Sequence, residues 1–191
     1  MLLIIDHRDS FSAMIADYCR QLSIEQQMIT TDQVTLQTLT EYQPRRIIIG
    51  PGPGHPSDEA LVATKQLMGA AIARQIPLLG ICLGHQLIGE IYGAKIITAK
   101  HICHGIVSEI THNNNPLFHN LPTTFQVTRY HSLLIEPDSL LTSELIITAT
   151  TTEQEVMAIA HPQLAVYGIQ FHPESVTTEY GLELLANFLT K

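Results

Sequence analysis

A thiol bracketed by glycines, and a histidine followed two residues later by a carboxylate, are the side chains here with the means to do covalent chemistry. The first is Cys82 in Gly80-Ile81-Cys82-Leu83-Gly84, and the second is the pair in His172-Pro173-Glu174. A Gly-x-Cys-x-Gly pentapeptide follows the logic of a nucleophile elbow, in which small residues two before and two after allow a sharp turn that pushes the middle side chain outward. Unpaired N–H groups and the positive dipole end of a helix starting there favour a thiolate over a thiol, and the same amides can hold an oxyanion. Taken alone, the pentapeptide fits a buried cysteine in a tight turn equally well. A partner shifts that balance. In extended backbone, residues i and i+2 point the same way, and Pro173 biases His172 toward that region, so His172 and Glu174 are expected side by side. The carboxylate would then orient and charge-balance an imidazole that takes the thiol proton and later hands it to a leaving group.

Both groups fall at the ends of short apolar runs, which are the elements that must position them. Leu78, Leu79 and Ile81 form a run of buried-strand length, and Leu87, Ile88 and Ile91 share one face of a helix expected over Leu83 to Tyr92. Upstream, Leu2 to Ile5 reads as a strand, with Ser10 able to cap a helix reaching about Leu22. Gln27 to Thr30 reads as a strand, Leu36 to Tyr42 as a short helix and Arg45 to Ile49 as a third strand. Ser57 to Arg74 reads as a helix with Asp58 and Glu59 in its first turn. Such alternation predicts an α/β fold with a parallel sheet, whose ligand crevice lies beyond the carboxyl ends of the strands. The loop after Ile49, Gly50-Pro51-Gly52-Pro53-Gly54-His55-Pro56, can be neither helix nor strand. It serves as a plain connector, or its glycines let amides approach a ligand, with Pro53 unable to donate.

Past Tyr92 the pattern changes to short runs between polar turns: Lys95 to Thr98, Ile106 to Ile110, Phe125 to Val127, Leu145 to Ala149, Val156 to Ala160 and Leu164 to Phe171. These read as antiparallel strands appended to the sheet, followed by an amphipathic helix over about Thr178 to Leu189.

The chain of 191 residues is 45% apolar and 15% charged, which suits one soluble domain with a substantial core. Ten basic against eighteen acidic residues give a net charge of −8, which argues against nucleic acid or an anionic membrane as the main partner. Cys19, Cys82 and Cys103 lack the count and spacing of a disulfide framework, which points to a reducing compartment. With no secretory leader and no apolar run of ~18 residues, the expectation is a cytoplasmic protein.

Five segments together resemble the class I (triad-type) glutamine amidotransferases, and more narrowly the glutaminase subunits of anthranilate synthase and 4-amino-4-deoxychorismate synthase. They are Asp9-Ser10-Phe11, Pro51 to Gly54, Gly80 to Gln86, Arg129-Tyr130-His131-Ser132-Leu133, and Gln170 to Ser175. The resemblance implies a single domain over 1–191: a three-layer, flavodoxin-like sandwich whose mostly parallel sheet has helices on both faces and antiparallel strands appended. It implies Cys82 as nucleophile, His172 as general base and then acid, and Glu174 as its orienting group. It implies that Leu83 and the Gly52-Pro53-Gly54 loop hold the oxyanion and substrate, and that Gln86, Ser132 and Leu133 recognise the amino-acid end of L-glutamine. No cofactor or metal is implied. The implied partner is a chorismate-binding synthase subunit that receives the ammonia. The chain departs from the usual family pattern at His7, Arg8, Ala13 and Met14, where both usual asparagines are lost, and at Ile106, where a lysine is usual.

Other readings lead elsewhere. A stand-alone cysteine hydrolase would use Cys82 but has no need of Arg129 to Leu133, and a non-catalytic regulatory subunit has no need of the Cys82, His172 and Glu174 set. His101, Cys103, His104 and His112 offer metal-ligand chemistry, but their spacing fits no zinc pattern. Cys19 is expected in the core, and Cys103 has no assigned role.

Overall fold

A computed structural model describes residues 1–190; Lys191 lies outside the described residues. Its first half is the expected alternation: β1 (Leu2–Asp6), α1 (Ser12–Gln21), β2 (Gln26–Thr30), α2 (Thr38–Tyr42), β3 (Arg46–Ile49), α3 (Val62–Ala73), β4 (Leu78–Ile81) and α4 (Leu83–Ile91). The second half contributes β5 (Ile96–Thr98), β6 (Ile106–His112), β7 (Thr124–Arg129), β8 (Leu133–Ile135), β9 (Ile146–Thr151), β10 (Val156–Ala160), β11 (Val166–Ile169) and α5 (Gly181–Thr190).

The main sheet runs β2-β1-β3-β4-β11-β10-β9-β6-β7. From β2 to β11 every pairing is parallel, and from β11 to β7 every pairing is antiparallel. Apart from the edge strand β2, where Gln27 and Met28 are exposed, the strands of the parallel half have no polar face to show water. β1 reads Leu-Leu-Ile-Ile-Asp and β3 reads Arg-Ile-Ile-Ile because helices cover both sides. One core packs α1 and α5 (Ile15, Cys19, Leu184, Leu185, Phe188) against one face, and the other packs α3 and α4 (Leu67, Met68, Leu87, Ile88) against the opposite face. This is the three-layer α/β sandwich expected. Among the described residues no helix is long and apolar enough to cross a membrane.

Three local expectations differ, and one strand is unexpected. Ser10 does not cap α1; instead Asp9 Oδ1 accepts from the Phe11 N–H and Ser12 Oγ donates to Asp6 Oδ1, so the helix opens at Ser12. The helix expected from Ser57 begins at Val62, because Asp58 is used to accept from the His55 N–H and only a 3-10 turn, Glu59–Leu61, precedes it. Leu164 to Phe171 is not simply an appended antiparallel strand: β11 pairs parallel with β4 on one side and antiparallel with β10 on the other, so the sheet changes sense there. Leu133–Ile135, three residues too few to carry a periodic signal, pairs with β5 in a separate two-stranded sheet.

Candidate functional site

Cys82 stands between the last residue of β4 and the first of α4, with φ 53° and ψ −101°. A non-glycine residue rarely takes such a conformation, and the surroundings must hold it there. They do so by close packing. A Cβ on Gly80 would lie 2.3 Å from the Gly84 carbonyl oxygen, and one on Gly84 would lie 2.3 Å from the Ile49 carbonyl oxygen. Both bracketing glycines are therefore sterically required. The Cys82 N–H donates to the Ile169 carbonyl at 2.8 Å, tying the turn to β11. The first N–H groups of α4 have no intrahelical acceptor and lie next to the sulfur.

His172 and Glu174 are brought together at the end of β11, as expected, but by a different route. The backbone is not extended through Glu174: the Ser175 N–H bonds back to the His172 carbonyl at 3.3 Å, and a turn carries the carboxylate under the ring. His172 Nδ1 lies 2.6 Å from Glu174 Oε1, and both side chains are buried. Thr128 accepts from the His172 N–H, and Thr178 Oγ1 donates to the His172 carbonyl at 2.6 Å, which fixes the turn to β7. The rings of Phe11 and Tyr130 pack on the imidazole at 4.8 Å and 5.2 Å. Burial alone disfavours the imidazolium, but contact with Cys82 and the hydrogen bond and charge of Glu174 outweigh it and raise the His172 pKa to about 10. No aligned hydrogen bond closes from Nε2, and catalytic contacts of this kind commonly tighten only when substrate is bound.

The thiol opens onto a cleft of about 180 Å³ lined by Gly52, Pro53, Gly54, Cys82, Leu83, Gln86, Tyr130, His131, Ser132 and Leu133. Every residue named from the sequence for substrate contact is on that wall, although they come from three separate stretches of chain. Gly52 is pressed against His7, where a Cβ would meet the His7 Cβ at 2.3 Å, and Gly54 takes φ 97°. The buried Gln86 amide donates to the Leu133 carbonyl at 3.1 Å and to Gln170 Oε1 at 3.1 Å. Gln86 therefore also braces the cleft floor. Among the described residues no three or more His, Cys, Asp or Glu side chains are grouped so as to hold a metal ion.

A thiol on a strained strand-to-helix turn, a carboxylate-backed imidazole and a polar cleft together suit acyl transfer from an amide or ester through a thioester. The sequence model of the family described as "Glutamine amidotransferase class-I" matches residues 3–191.

This chain belongs to the class-I glutamine amidotransferases.

The amidotransferase is 44% identical to the anthranilate synthase component 2 of Pyropia yezoensis, with 99% of this chain and 98% of that protein covered. It is 41% identical to the aminodeoxychorismate synthase component 2 of Escherichia coli strain K12, with 99% of each covered. Its fold is shared with a glutamine amidotransferase of Thermotoga maritima, at a TM-score of 0.76 and 20% identity over 97% of this chain and 80% of that one.

At the positions where the amidotransferase departs from the usual pattern, the structure shows two kinds of environment. His7 is buried behind the Gly52 loop, and burial lowers its pKa to about 4 in spite of a backbone contact with Gly50 and the nearby Asp6 and Asp9. Arg8 is exposed in an ion pair with Asp32, Ala13 is exposed and Met14 half-buried, and Ile106 is exposed at the start of β6.

Three neighbours of the sulfur and the imidazole carried no role in the sequence reading. Tyr130 lines the cleft, packs on His172 and offers its carbonyl to Cys82 Sγ at 3.8 Å. Phe11 packs on the same ring at 4.8 Å and on Tyr130 at 4.9 Å, so the three rings form one cluster. Gln170, fully buried, places its amide nitrogen 3.7 Å from Cys82 Sγ. All three lie within the motif segments, but nothing in their type or spacing announces contact with Cys82 or His172. Arg129, in the same segment as Tyr130, is a brace: it binds Glu155, Ser108 and His131. Cys103 donates to the His101 carbonyl inside its own loop, and Cys19 lies in the core, where burial pushes its pKa up to about 12.

Proposed function

We propose that residues 1–191 act as one glutaminase unit that hydrolyses L-glutamine to glutamate and ammonia and passes the ammonia to a separate chorismate-aminating synthase subunit. The observation that carries this reading is the buried His172–Glu174 pair set beside Cys82 on the wall of a polar cleft. Cys82 sulfur attacks the side-chain amide carbon of glutamine, and its proton passes to His172. The negative oxygen is held by the Leu83 N–H and by amides of the Gly52 to Gly54 loop, Pro53 shaping the loop without donating. Collapse of the tetrahedral adduct breaks the C–N bond, with His172 returning the proton so that ammonia leaves and a γ-glutamyl thioester remains. Water, deprotonated by the same imidazole, then releases glutamate and restores the thiol. Glu174 keeps the ring oriented and balances its charge throughout. Gln86, Ser132 and Leu133 hold the amino-acid end of the substrate. The reaction draws on no metal or cofactor.

The partner is supported by the full-length similarity to two synthase components, one of each chorismate-using kind. A chemical reason accompanies it: ammonia released into neutral water is mostly protonated and no longer nucleophilic, so an enclosed transfer to the acceptor subunit preserves it. Such a pair of enzymes belongs in the cytoplasm. The deciding experiment measures glutamine hydrolysis by the chain alone and with anthranilate or aminodeoxychorismate synthase large subunits. Turnover stimulated by a large subunit is expected. Full activity alone would favour a free-standing hydrolase, and no activity in any combination would favour a regulatory subunit.

A further inference from the structure

The residue that completes the environment of the sulfur is Gln170. Its backbone is already satisfied, since its N–H donates to the Met157 carbonyl at 2.9 Å. Its neighbours in the chain, Ile169 and Phe171, are fully buried and apolar, and Gln170 is fully buried too. An amide in such a place costs free energy unless it is hydrogen-bonded, and an apolar side chain of the same length would fill the space without that cost. The Gln170 amide makes two side-chain contacts, to Gln86 and to Cys82 Sγ.

The sense of these contacts is determined by a group that can only accept. The Leu133 carbonyl lies 3.1 Å from the Gln86 side chain, so the atom of Gln86 facing it must be the NH2 group. The same NH2 lies 3.1 Å from the Gln170 side chain, which must therefore present its oxygen there. That leaves the NH2 of Gln170 on the opposite side, 3.7 Å from the sulfur and donating to it. The chain of hydrogen bonds links the accepting Leu133 carbonyl on the cleft wall through Gln86 and Gln170 to the atom that reacts.

We propose that Gln170 is a positioning residue for the nucleophile: its amide, turned by Gln86, donates to Cys82 Sγ and holds the sulfur as a thiolate aimed into the cleft. The proposal rests on the reading of Cys82 as the nucleophile. An N–H···S bond is weak to a thiol and stronger to a thiolate, so the contact favours the charged form together with the His172 imidazolium. It also restricts where the sulfur points, because the donor lies on the side of β11 while the cleft opens on the side of Gly52 and Ser132.

The test follows alkylation of Cys82 by iodoacetamide, in which sulfur displaces iodide from carbon, across pH and with the modified residue read by mass. Gln170→Met keeps the volume and removes the donor; its alkylation at about pH 7 is expected to fall roughly tenfold, with the profile moved about one pH unit upward. Gln170→Glu puts a carboxylate against the sulfur and should move the profile further. In glutamine hydrolysis both should lower kcat well beyond any change in KM. A Gln170→Met profile that superimposes on wild type overturns the proposal. Where either variant fails to fold, NMR of the wild-type chain decides: the Gln170 side-chain NH2 resonances should shift with the midpoint of Cys82 alkylation, and invariance across that range overturns it. Retention of glutamine hydrolysis by Cys82→Ser would instead overturn the reading on which the proposal stands, an outcome separate from these.

Discussion

Gly84 lies so tightly against Ile49 that a single added carbon on it would come within 2.3 Å of the Ile49 carbonyl oxygen. The start of α4 is thereby wedged against the carboxyl end of β3, and the sulfur of Cys82 is carried to the rim of the sheet. Backbone cannot yield as a flexible side chain can. Gly84→Ala should cost about 1–3 kcal/mol or more of stability and should lower glutamine hydrolysis further than the loss of folded protein explains, as read by thermal unfolding alongside activity. Unchanged values for both would mean that the contact relaxes freely.

The conformation of Cys82 yields a second test. Both Cys82→Ala and Cys82→Gly should abolish glutamine hydrolysis. Glycine accepts φ 53° without penalty, whereas alanine keeps the strain. The glycine variant should accordingly be the more stable of the two by about 1 kcal/mol, in spite of its more flexible unfolded chain. The reverse order of melting temperatures would contradict a strained elbow.

Removing the charge from Glu174 should reach the reaction through His172. Glu174→Gln retains a hydrogen-bonding group but not the carboxylate that, with Cys82, raises the imidazole pKa to about 10. An NMR titration of His172 should show its midpoint moving down in this variant. Glutamine hydrolysis should fall by about 10²- to 10⁴-fold, with little change in KM. A variant with wild-type turnover would assign Glu174 a purely structural place.

Acid should unfold the protein through its buried histidines. Burial, the largest cause in each case, lowers the pKa of His7 to about 4 and of His85 and His131 to about 3, with the Arg129 charge adding to the effect at His131. An unfolded chain titrates its histidines near 6.5, so below that pH the unfolded state binds more protons. Stability present above pH about 6.5 is then lost as the pH falls toward 4. The raised pKa of His172 acts in the opposite sense: its contribution is full below about 6.5 and is lost as the pH rises through about 10. Urea midpoints should decline steadily between pH about 6.5 and 4.5, and His7→Asn should flatten that decline. A constant midpoint across the range would show that these rings find partners when protonated.

Much of this protein was legible in the chain itself because the signals were local. Apolar runs such as Leu2 to Ile5 and Ile47 to Ile49 announce strands buried on both faces, and the Gly80 and Gly84 spacing announces a turn that no other residue type permits. Cys82, His172 and Glu174 are recognisable by type, spacing and family resemblance, whereas the cleft residues from Gly52 to Leu133 are named through the resemblance. What depended on contacts across the fold was not written in any one segment. Leu133–Ile135 is a strand only because β5 lies beside it, and β11 changes the sense of the sheet only because β4 and β10 flank it. Glu174 meets His172 through a turn held by Thr128 and Thr178, which come from outside that turn's own four residues. The lowered pKa values of His7, His85 and His131 come from burial, and the orientation of the Gln170 amide comes from an acceptor on another strand. Periodicity and motif spacing encode what a residue and its near neighbours prefer, whereas desolvation, hydrogen-bond sense and sheet order are properties of atoms distant in the chain that only folding brings together.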